Sequence, residues 1–412
     1  MEKLNDLALA KRSRLGALAL AWAACLMGLV GFAGTAGLAA AAPTGEPVYI
    51  AFDGAYGIKT NTAPLAIERG IRAAMEELNA QGGVLGGRPL KLLTSDNQGV
   101  SARARDNYLE HAARPGVIAV FGGKFSPVIV ETVPEAQKAK VPLVSVWGSA
   151  DQITEHGQRP SYVFRLSLKD SWGVEALLQR TRQAHKAQRI CAVLPNTAWG
   201  RSGNAVITAR AAPLGLSVVA TRWYNWGDKA FGEVVDACRA AAAQAMLLVA
   251  NEAEAALILK EIAQRPAAER LPVVSHWGVT GGVLHELAGD ALDKVDLQVI
   301  QTFTFVGNER PRARRLAEWL MKEGGHASPK DIVSPVGSAH AYDMTHLLAR
   351  AVDQARSTQG EAVRQALEKL PPFDGAVRRY APAFAPDRHD ALGPQQVLFV
   401  RVERTGALVP LR

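Results

Sequence analysis

From Val48 onward, short apolar runs alternate with longer segments in which apolar residues recur every three or four positions. Val48–Phe52 is the first such run, and the segment Pro64–Asn79 after it has apolar residues at helical spacing, including Ile67 and Ile71. Short apolar runs are typical of buried strands, whereas a 3.6-residue period indicates an amphipathic helix. The chain therefore opens with a predicted strand and a predicted helix.

This alternation continues through two successive sets of elements. The first set adds the strands Leu90–Thr94, Val117–Phe121, Pro142–Val146 and Tyr162–Leu166, and the helices Ser101–Arg114 and Ser126–Ala139. The second set has the strands Arg189–Leu194, Ser217–Thr221, Ala245–Val249 and Leu271–Ser275, and the helices Ser171–Ala184, Gly203–Leu214, Phe231–Ala243 and Glu252–Gln264. Three further helices and a late strand follow, at Arg312–Lys322, Gly337–Arg356, Glu361–Lys369 and Val397–Val402.

Strands that alternate with helices build parallel sheets covered by helices on both faces. We therefore predict an α/β protein of two Rossmann-like lobes. Residues 43–167 and 303–380 are expected to form lobe 1, and residues 168–302 and 395–412 lobe 2. Ligands of open α/β sheets bind beyond the carboxyl ends of the strands, so the loops at those ends are the candidate site.

The first 42 residues have a different pattern. A basic start with Lys11, Arg12 and Arg14 precedes an uncharged apolar run, and small residues come before Pro43. This order is typical of a secretory signal peptide and predicts export to the periplasm. An uncleaved membrane anchor is the alternative, because the run is long enough to cross a bilayer.

Composition narrows the classes of function. Hydrophobic residues make up 48% of the 412 residues and charged residues 21%, which suits two well-packed domains. The formal net charge is +8, but no long Lys/Arg stretch is interleaved with aromatic residues, so nucleic acid is not an expected partner. Cys191 and Cys238 lie in apolar elements, and two buried free thiols are the simpler interpretation, although export would permit a disulfide.

Several motifs carry a resemblance to a known family. Glu68-Arg69-Gly70-Ile71 precedes a glycine-rich turn, Leu78-Asn79-Ala80-Gln81-Gly82-Gly83-Val84-Leu85-Gly86-Gly87-Arg88, and Asp96-Asn97 and Ala341-Tyr342-Asp343 follow. Together they resemble the type I periplasmic binding proteins, and more narrowly the leucine/isoleucine/valine-binding family of ABC importers. The resemblance implies a three-strand hinge, a small-molecule ligand, a membrane ABC permease as partner, and neither a cofactor nor enzymatic activity.

The resemblance also implies ligand-binding positions in the first lobe. Ser126 and the pair Gly148-Ser149 match positions that hold the ligand carboxylate, and hydroxyl and backbone N–H groups near a helix start suit an anion. For Ser126, a simple N-cap role is the alternative. Tyr56 and Trp147 lie in loops at the mouth of the first lobe and are further candidates, with local packing as their alternative.

In the second lobe, Trp199 matches an aromatic residue that covers the ligand, and Asn251 matches another contact position. The chain departs from the family at Trp277, where amino-acid-binding members commonly carry an acid for the ligand ammonium. A buried ammonium without such a partner is costly. Glu252 or Glu254 could substitute from the neighbouring loop, with a solvated position at a helix start as the alternative for both. The tryptophans instead favour a flat ligand such as an aromatic or other organic acid.

Other functions receive less support from the sequence. A ligand-sensing receptor of the same fold is the main alternative, and a hydrolase is a weaker one, since the chain contains no G-x-S-x-G, H-E-x-x-H or C-x-x-C motif. His340, Asp343 and His346 do not predict a metal site, because helical residues six apart do not share a face.

Overall fold

The computed structural model describes residues 44–411, and its first lobe is built on a five-stranded sheet. The strands run parallel in the order β2-β1-β3-β4-β5. They are β1 (Val48–Gly54), β2 (Leu90–Asp96), β3 (Val117–Gly122), β4 (Leu143–Ser145) and β5 (Val163–Arg165). Every residue of β3 is buried, as expected for a parallel strand covered on both faces.

Six helices pack on this sheet or on the helices that cover it. They are α1 (Ala63–Ala80), α2 (Ser101–Ala113), α3 (Ser126–Ala139), α10 (Pro311–Gly324), α11 (Pro335–Ala355) and α12 (Gly360–Leu367). The last three come late in the chain, and α11 packs along α1. This approach requires glycine at position 70, because a Cβ there would lie 2.1 Å from the carbonyl oxygen of Ser338.

The second lobe is built on a seven-stranded sheet in the order β14-β13-β10-β9-β8-β6-β7. Its strands are β6 (Arg189–Pro195), β7 (Ser217–Tyr224), β8 (Ala245–Leu248), β9 (Val273–Ser275), β10 (Leu297–Gln301), β13 (Leu398–Val402) and β14 (Leu408–Pro410). Strands β6 to β10 are parallel, whereas β13 pairs antiparallel with β10 and β14. A separate two-stranded ribbon comprises β11 (Phe373–Asp374) and β12 (Arg379–Tyr380).

The helices of the second lobe fill the connections between its strands. They are α4 (Asp170–His185), α5 (Ala198–Arg210), α6 (Gly232–Ala240), α7 (Glu252–Ala263), α8 (Leu284–Ala288) and α9 (Ala291–Lys294). The chain passes between the lobes three times, after β5, after β10 and before β13. The predicted α/β fold with two lobes is therefore confirmed.

The cysteine interpretation was wrong. Cys191 on β6 and Cys238 on α6 form a disulfide with their Cα atoms 5.4 Å apart. Both residues are fully buried between the sheet and the helix that covers it. The sequence did not reveal this pairing, because the apolar patterns of a strand and of a helix do not show which strand the helix packs against.

The predicted signal peptide, residues 1–42, lies outside the described residues. Within residues 44–411, no helix combines the length and the hydropathy that crossing a bilayer requires.

Candidate functional site

The candidate site is a small cavity between the lobes, where loops at the carboxyl ends of the two sheets meet. Its volume is about 10 Å³, near the space one water molecule needs. The lining includes Lys124, Phe125, Ser126, Trp147 and Ser149 from the first lobe, and Trp199, Asn251, His276 and Gly278 from the second. Five sequence-predicted residues are among these, so the fold brings together candidates from positions 126 to 251.

A much larger depression of about 780 Å³ lies on the outer surface beside α4. Long polar side chains such as Gln179, Arg182 and Lys186 line it. We favour the central cavity despite its size, because it gathers buried polar groups of both lobes, and such convergence is what marks a binding site.

Ser126 connects two loops of the first lobe. Its hydroxyl oxygen accepts hydrogen bonds from the backbone N–H groups of Ser149, at 3.1 Å, and Ala150, at 3.2 Å. Ser126 is the first residue of α3 and makes no capping hydrogen bond, so the N-cap alternative is wrong. With both acceptor positions used, the hydroxyl hydrogen remains available to an acceptor.

Gly148 has a packing role in the same loop. A Cβ at this position would lie 2.6 Å from Cδ1 of Ile129, and the Gly148 carbonyl accepts hydrogen bonds from the hydroxyls of Ser145 and Ser167. Gly148 therefore fixes the path of the loop that presents Ser149.

Two aromatic candidates of the first lobe have different surroundings. Trp147 lines the cavity and rests against α11, where a Cβ at Gly337 would lie 2.9 Å from its ring. Tyr56 instead directs its hydroxyl to Glu68 at 2.6 Å. Burial and the Glu68 carboxylate raise the pKa of the Tyr56 phenol above its ordinary value. The Tyr56 hydroxyl is thus occupied by a contact within its own lobe.

Trp199 lies in the first turn of α5, not in the loop that the sequence predicted. The predicted helix began at Gly203, but the Thr197 side chain caps a helix that begins at Ala198. The side chain of Trp199 is buried, and its indole Nε1–H has no hydrogen-bond partner within residues 44–411. Buried indole N–H groups usually find a partner, so this donor is suited to an acceptor atom of a ligand.

Asn251 occupies the N-cap position of α7 but makes no capping hydrogen bond with its side chain. The residue is 7% exposed and lines the cavity. Its amide, which can donate and accept hydrogen bonds, is therefore not committed to the helix end.

Trp277 contacts the site through its neighbour His276. The two rings lie 3.9 Å apart between centroids, and His276 meets the edge of Trp199 at 4.9 Å. Trp277 also packs against Gly173, where a Cβ would lie 3.3 Å from its ring. The aromatic residues thus form a continuous wall in the second lobe.

His276 is a site residue that sequence reasoning missed. Its Nδ1 accepts a hydrogen bond from the Gly278 N–H at 3.2 Å, which places the proton of the neutral ring on Nε2. Nε2 lies 3.4 Å from Oδ1 of the buried Asp170, without hydrogen-bond geometry. Burial lowers the pKa of His276 and outweighs the Asp170 carboxylate, which acts to raise it.

Lys124 and Glu252 form an ion pair across the cleft, which the sequence also failed to show. Lys124 follows β3, Glu252 opens α7, and their Nζ and Oε2 atoms lie 2.5 Å apart. The Thr60 hydroxyl donates to the other Glu252 oxygen at 3.1 Å. The signal that could have identified Lys124 is its position just beyond the carboxyl end of the buried parallel strand β3.

Backbone contacts join the lobes beside this ion pair. The N–H groups of Thr62 and Ala63, at the start of α1, donate to the carbonyl of Gly281 at 3.0 and 3.1 Å. Val283 N–H donates to the carbonyl of Thr60 at 3.1 Å. The structure is therefore a closed arrangement of the two lobes.

The side chains of His340, Asp343 and His346 turn to different partners. His340 contacts Val146 and Thr302, and the Asp343 carboxylate accepts from backbone N–H groups at positions 376 and 377. In the described part of the chain, no group of three or more His, Cys, Asp or Glu residues has a metal-binding arrangement.

Two lobes built on mainly parallel sheets, three crossovers and a polar cavity between the lobes define a two-lobed solute-binding protein. The chain belongs to the periplasmic binding protein family, whose sequence model matches residues 54–407. No curated protein matches the chain in a sequence search.

Solved structures of low sequence identity share the fold. A periplasmic binding protein type 1 from Bordetella pertussis is 20% identical with a TM-score of 0.79, and the match covers 89% of this chain and 100% of that one. The branched-chain amino acid transporter substrate binding protein LivJ from Streptococcus pneumoniae, in complex with isoleucine, is 19% identical with a TM-score of 0.74 and coverages of 89% and 99%. An ABC transporter solute binding protein from R. palustris, in complex with 4-hydroxybenzoate, is 17% identical with a TM-score of 0.74 and coverages of 89% and 96%.

Proposed function

We propose that this protein is the periplasmic solute-binding component of an ABC importer, and that its ligand is a small organic acid with a flat, apolar body. The observation that carries the proposal is the cavity that Ser126 and Trp147 of the first lobe share with Trp199 and Asn251 of the second. A ligand between these residues contacts both lobes, so binding favours an arrangement in which the lobes meet around it. That arrangement must be wider than the one described, whose cavity has room for about one water molecule.

The polar groups of the cavity favour an anion. The Trp199 indole has an unpartnered N–H, the Ser126 hydroxyl retains its hydrogen, and Asn251 has an amide free of capping. Donors that converge in a buried space suit a carboxylate, because hydrogen bonds to charged groups are the stronger ones. The rings of Trp147 and Trp199 provide apolar surface for the rest of the ligand.

The acidic residues near the cleft argue against a standard α-amino acid. Glu252 is paired with Lys124, and Glu254 accepts a hydrogen bond from the Gly227 N–H at 2.9 Å. Both substitutes for the missing acid at Trp277 are thus already engaged. Neither of these two acids is therefore free to pair with a ligand ammonium, whose burial without a counter-ion is costly.

Entry of a ligand requires the lobes to separate. Ordinary small-molecule pockets measure roughly 300–1,000 Å³, whereas the closed cavity measures about 10 Å³. We propose the three crossovers as the hinge, with residues 43–167 and 303–380 moving against residues 168–302 and 395–412. The related transporter proteins support a membrane permease as the partner that receives the solute.

A thermal-shift screen tests this function. Purified protein is mixed with benzoate, 4-hydroxybenzoate, isoleucine, leucine and valine, and hits are confirmed by calorimetry and by NMR of the recovered solute. A ligand at 100 times its Kd adds about 2.7 kcal/mol of apparent stability. An aromatic acid should raise Tm and be recovered unchanged. Strong shifts with all three amino acids would contradict the ligand class, and a converted product would contradict the binding role.

A further inference from the structure

Lys124 has more hydrogen-bond donors than partners. Its side chain is 2% exposed, and within residues 44–411 its only hydrogen bond goes to Glu252. An ammonium carries three N–H donors, and a buried charge costs free energy unless these are satisfied. Because Lys124 also lines the central cavity, its remaining donors are suited to an acceptor that enters the cavity.

Glu252, in contrast, has both carboxylate oxygens occupied. Oε2 accepts from Lys124 and Oε1 from the Thr60 hydroxyl. Gly282 packs closely against the same carboxylate, since a Cβ at that position would lie 2.5 Å from Glu252 Cδ. Glu252 is thereby held as a fixed counter-ion in the second lobe. The unused hydrogen-bond donors of the ion pair are the remaining N–H groups of Lys124.

We propose that Lys124 binds the negative charge of the ligand while it stays paired with Glu252. This inference rests on the proposed function and specifies its ligand as a carboxylate that carries no ammonium group. The ligand, Lys124 and Glu252 would form one chain of charges from the first lobe to the second. Recognition of the anion is then coupled to closure, because the ion pair exists only when the lobes meet.

The electrostatics of the neighbouring groups agree with this assignment. His276 is neutral because burial lowers the pKa of its ring, so it adds no positive charge to the cavity. Lys124 is consequently the one cationic side chain among the cavity residues named above. A zwitterionic ligand would bring its ammonium close to the Lys124 charge, whose partner Glu252 is already paired.

Calorimetry with benzoate and its neutral analogue benzamide tests the role of Lys124. Wild-type protein should bind benzoate at least tenfold more tightly than benzamide. Lys124→Met, which keeps an unbranched side chain without its charge, should lower benzoate affinity at least tenfold and leave benzamide affinity within about threefold. Lys138→Met is the matched control, because Lys138 lies on α3 in an exposed pair with Glu135, and it should change neither affinity.

A second variant guards against a folding defect in Lys124→Met, which leaves the Glu252 carboxylate unpaired. The double variant K124M/E252Q removes both charges together and should retain the wild-type circular dichroism spectrum while binding benzoate as weakly as K124M. Unchanged benzoate affinity in either variant would overturn the assignment, and so would equal wild-type affinities for benzoate and benzamide. If wild-type protein binds neither benzoate nor benzamide nor any solute of the thermal-shift screen, the proposed function itself fails.

Discussion

Arg165 and Asp390 form a buried ion pair that joins the first crossover to the third. The Nε and Oδ1 atoms lie 2.6 Å apart, and the Arg165 side chain is completely buried. Its Nη1 donates to the carbonyls of Ser149 and Ala150, at 3.0 and 2.9 Å. The same guanidinium therefore fixes the crossover and the loop whose N–H groups meet Ser126.

Replacing Asp390 by Asn should destabilise the protein strongly. The substitution leaves the Arg165 charge buried without a counter-ion, and breaking a buried pair in this way costs about 3–5 kcal/mol. Urea denaturation measures the free energy of unfolding. Asp374→Asn is the control, because its pair with Arg379 is exposed and should contribute less than about 1 kcal/mol. Equal effects of the two substitutions would show that the pair does not stabilise the crossover.

The fold was predictable because its signal is local and repeated. Strands such as β3 are apolar throughout, and helices such as α1 have a regular apolar stripe, so each element could be located by its period. The start of α5 was missed because Gly200 and Gly203 weaken its helical pattern. In the structure Gly200 is required, since a Cβ there would lie 1.9 Å from the Pro195 carbonyl oxygen.

The site was predictable only in part. The family resemblance implied Ser126 and Trp199, in loops expected at the carboxyl ends of strands, and both line the cavity between the lobes. The Lys124–Glu252 pair was missed because its partners are 128 positions apart, and only closure of the lobes makes them meet. The disulfide was missed because Cys191 and Cys238, 47 positions apart, become neighbours only when α6 packs on the sheet of the second lobe.

His340 should make stability depend on pH. It is fully buried between Val146 and Thr302, and burial lowers the pKa of its ring to about 4. An unfolded histidine titrates near pH 6.5, so the unfolded state binds more protons between pH 4 and 6.5. The contribution of His340 is full above pH 6.5 and is lost as the pH falls to 4, by about 3 kcal/mol.

Asp343 opposes this trend, so variants are needed to measure it. Burial raises the pKa of Asp343 to about 6, and its contribution to stability is therefore present below pH 3.8 and lost as the pH rises through 6. On acidification from pH 7 to pH 4.5, the wild type should lose more unfolding free energy than His340→Gln does, because only the wild type has His340 to protonate. Identical pH dependence in both proteins would exclude a neutral, buried His340.

Removing the disulfide should lower stability without removing the cavity. The bond joins residues 47 positions apart, for which chain entropy predicts about 4 kcal/mol, and the typical contribution of a disulfide is about 2–4 kcal/mol. Dithiothreitol should therefore lower the urea midpoint of the wild type and leave that of C191A/C238A unchanged. Alkylation followed by mass spectrometry provides an independent check, and labelling of both cysteines without prior reduction would show that they are free thiols.

Trp199→Phe should weaken binding of an aromatic acid, because it removes the hydrogen bond that the indole N–H would donate to the ligand. Phenylalanine retains an aromatic face beside His276, but it lacks the Nε1–H that has no partner within the described chain. A hydrogen bond to a charged acceptor contributes about 1.5–3 kcal/mol, so the Kd for benzoate should rise about tenfold or more. Trp223→Phe, at a tryptophan 43% exposed on β7, is the matched control and should leave the Kd unchanged. Benzamide separates two roles of the indole. If Trp199→Phe weakens benzamide as much as benzoate, the ring contributes to binding by packing against the ligand. The hypothesis that the indole N–H donates a hydrogen bond to the ligand carboxylate would then be wrong.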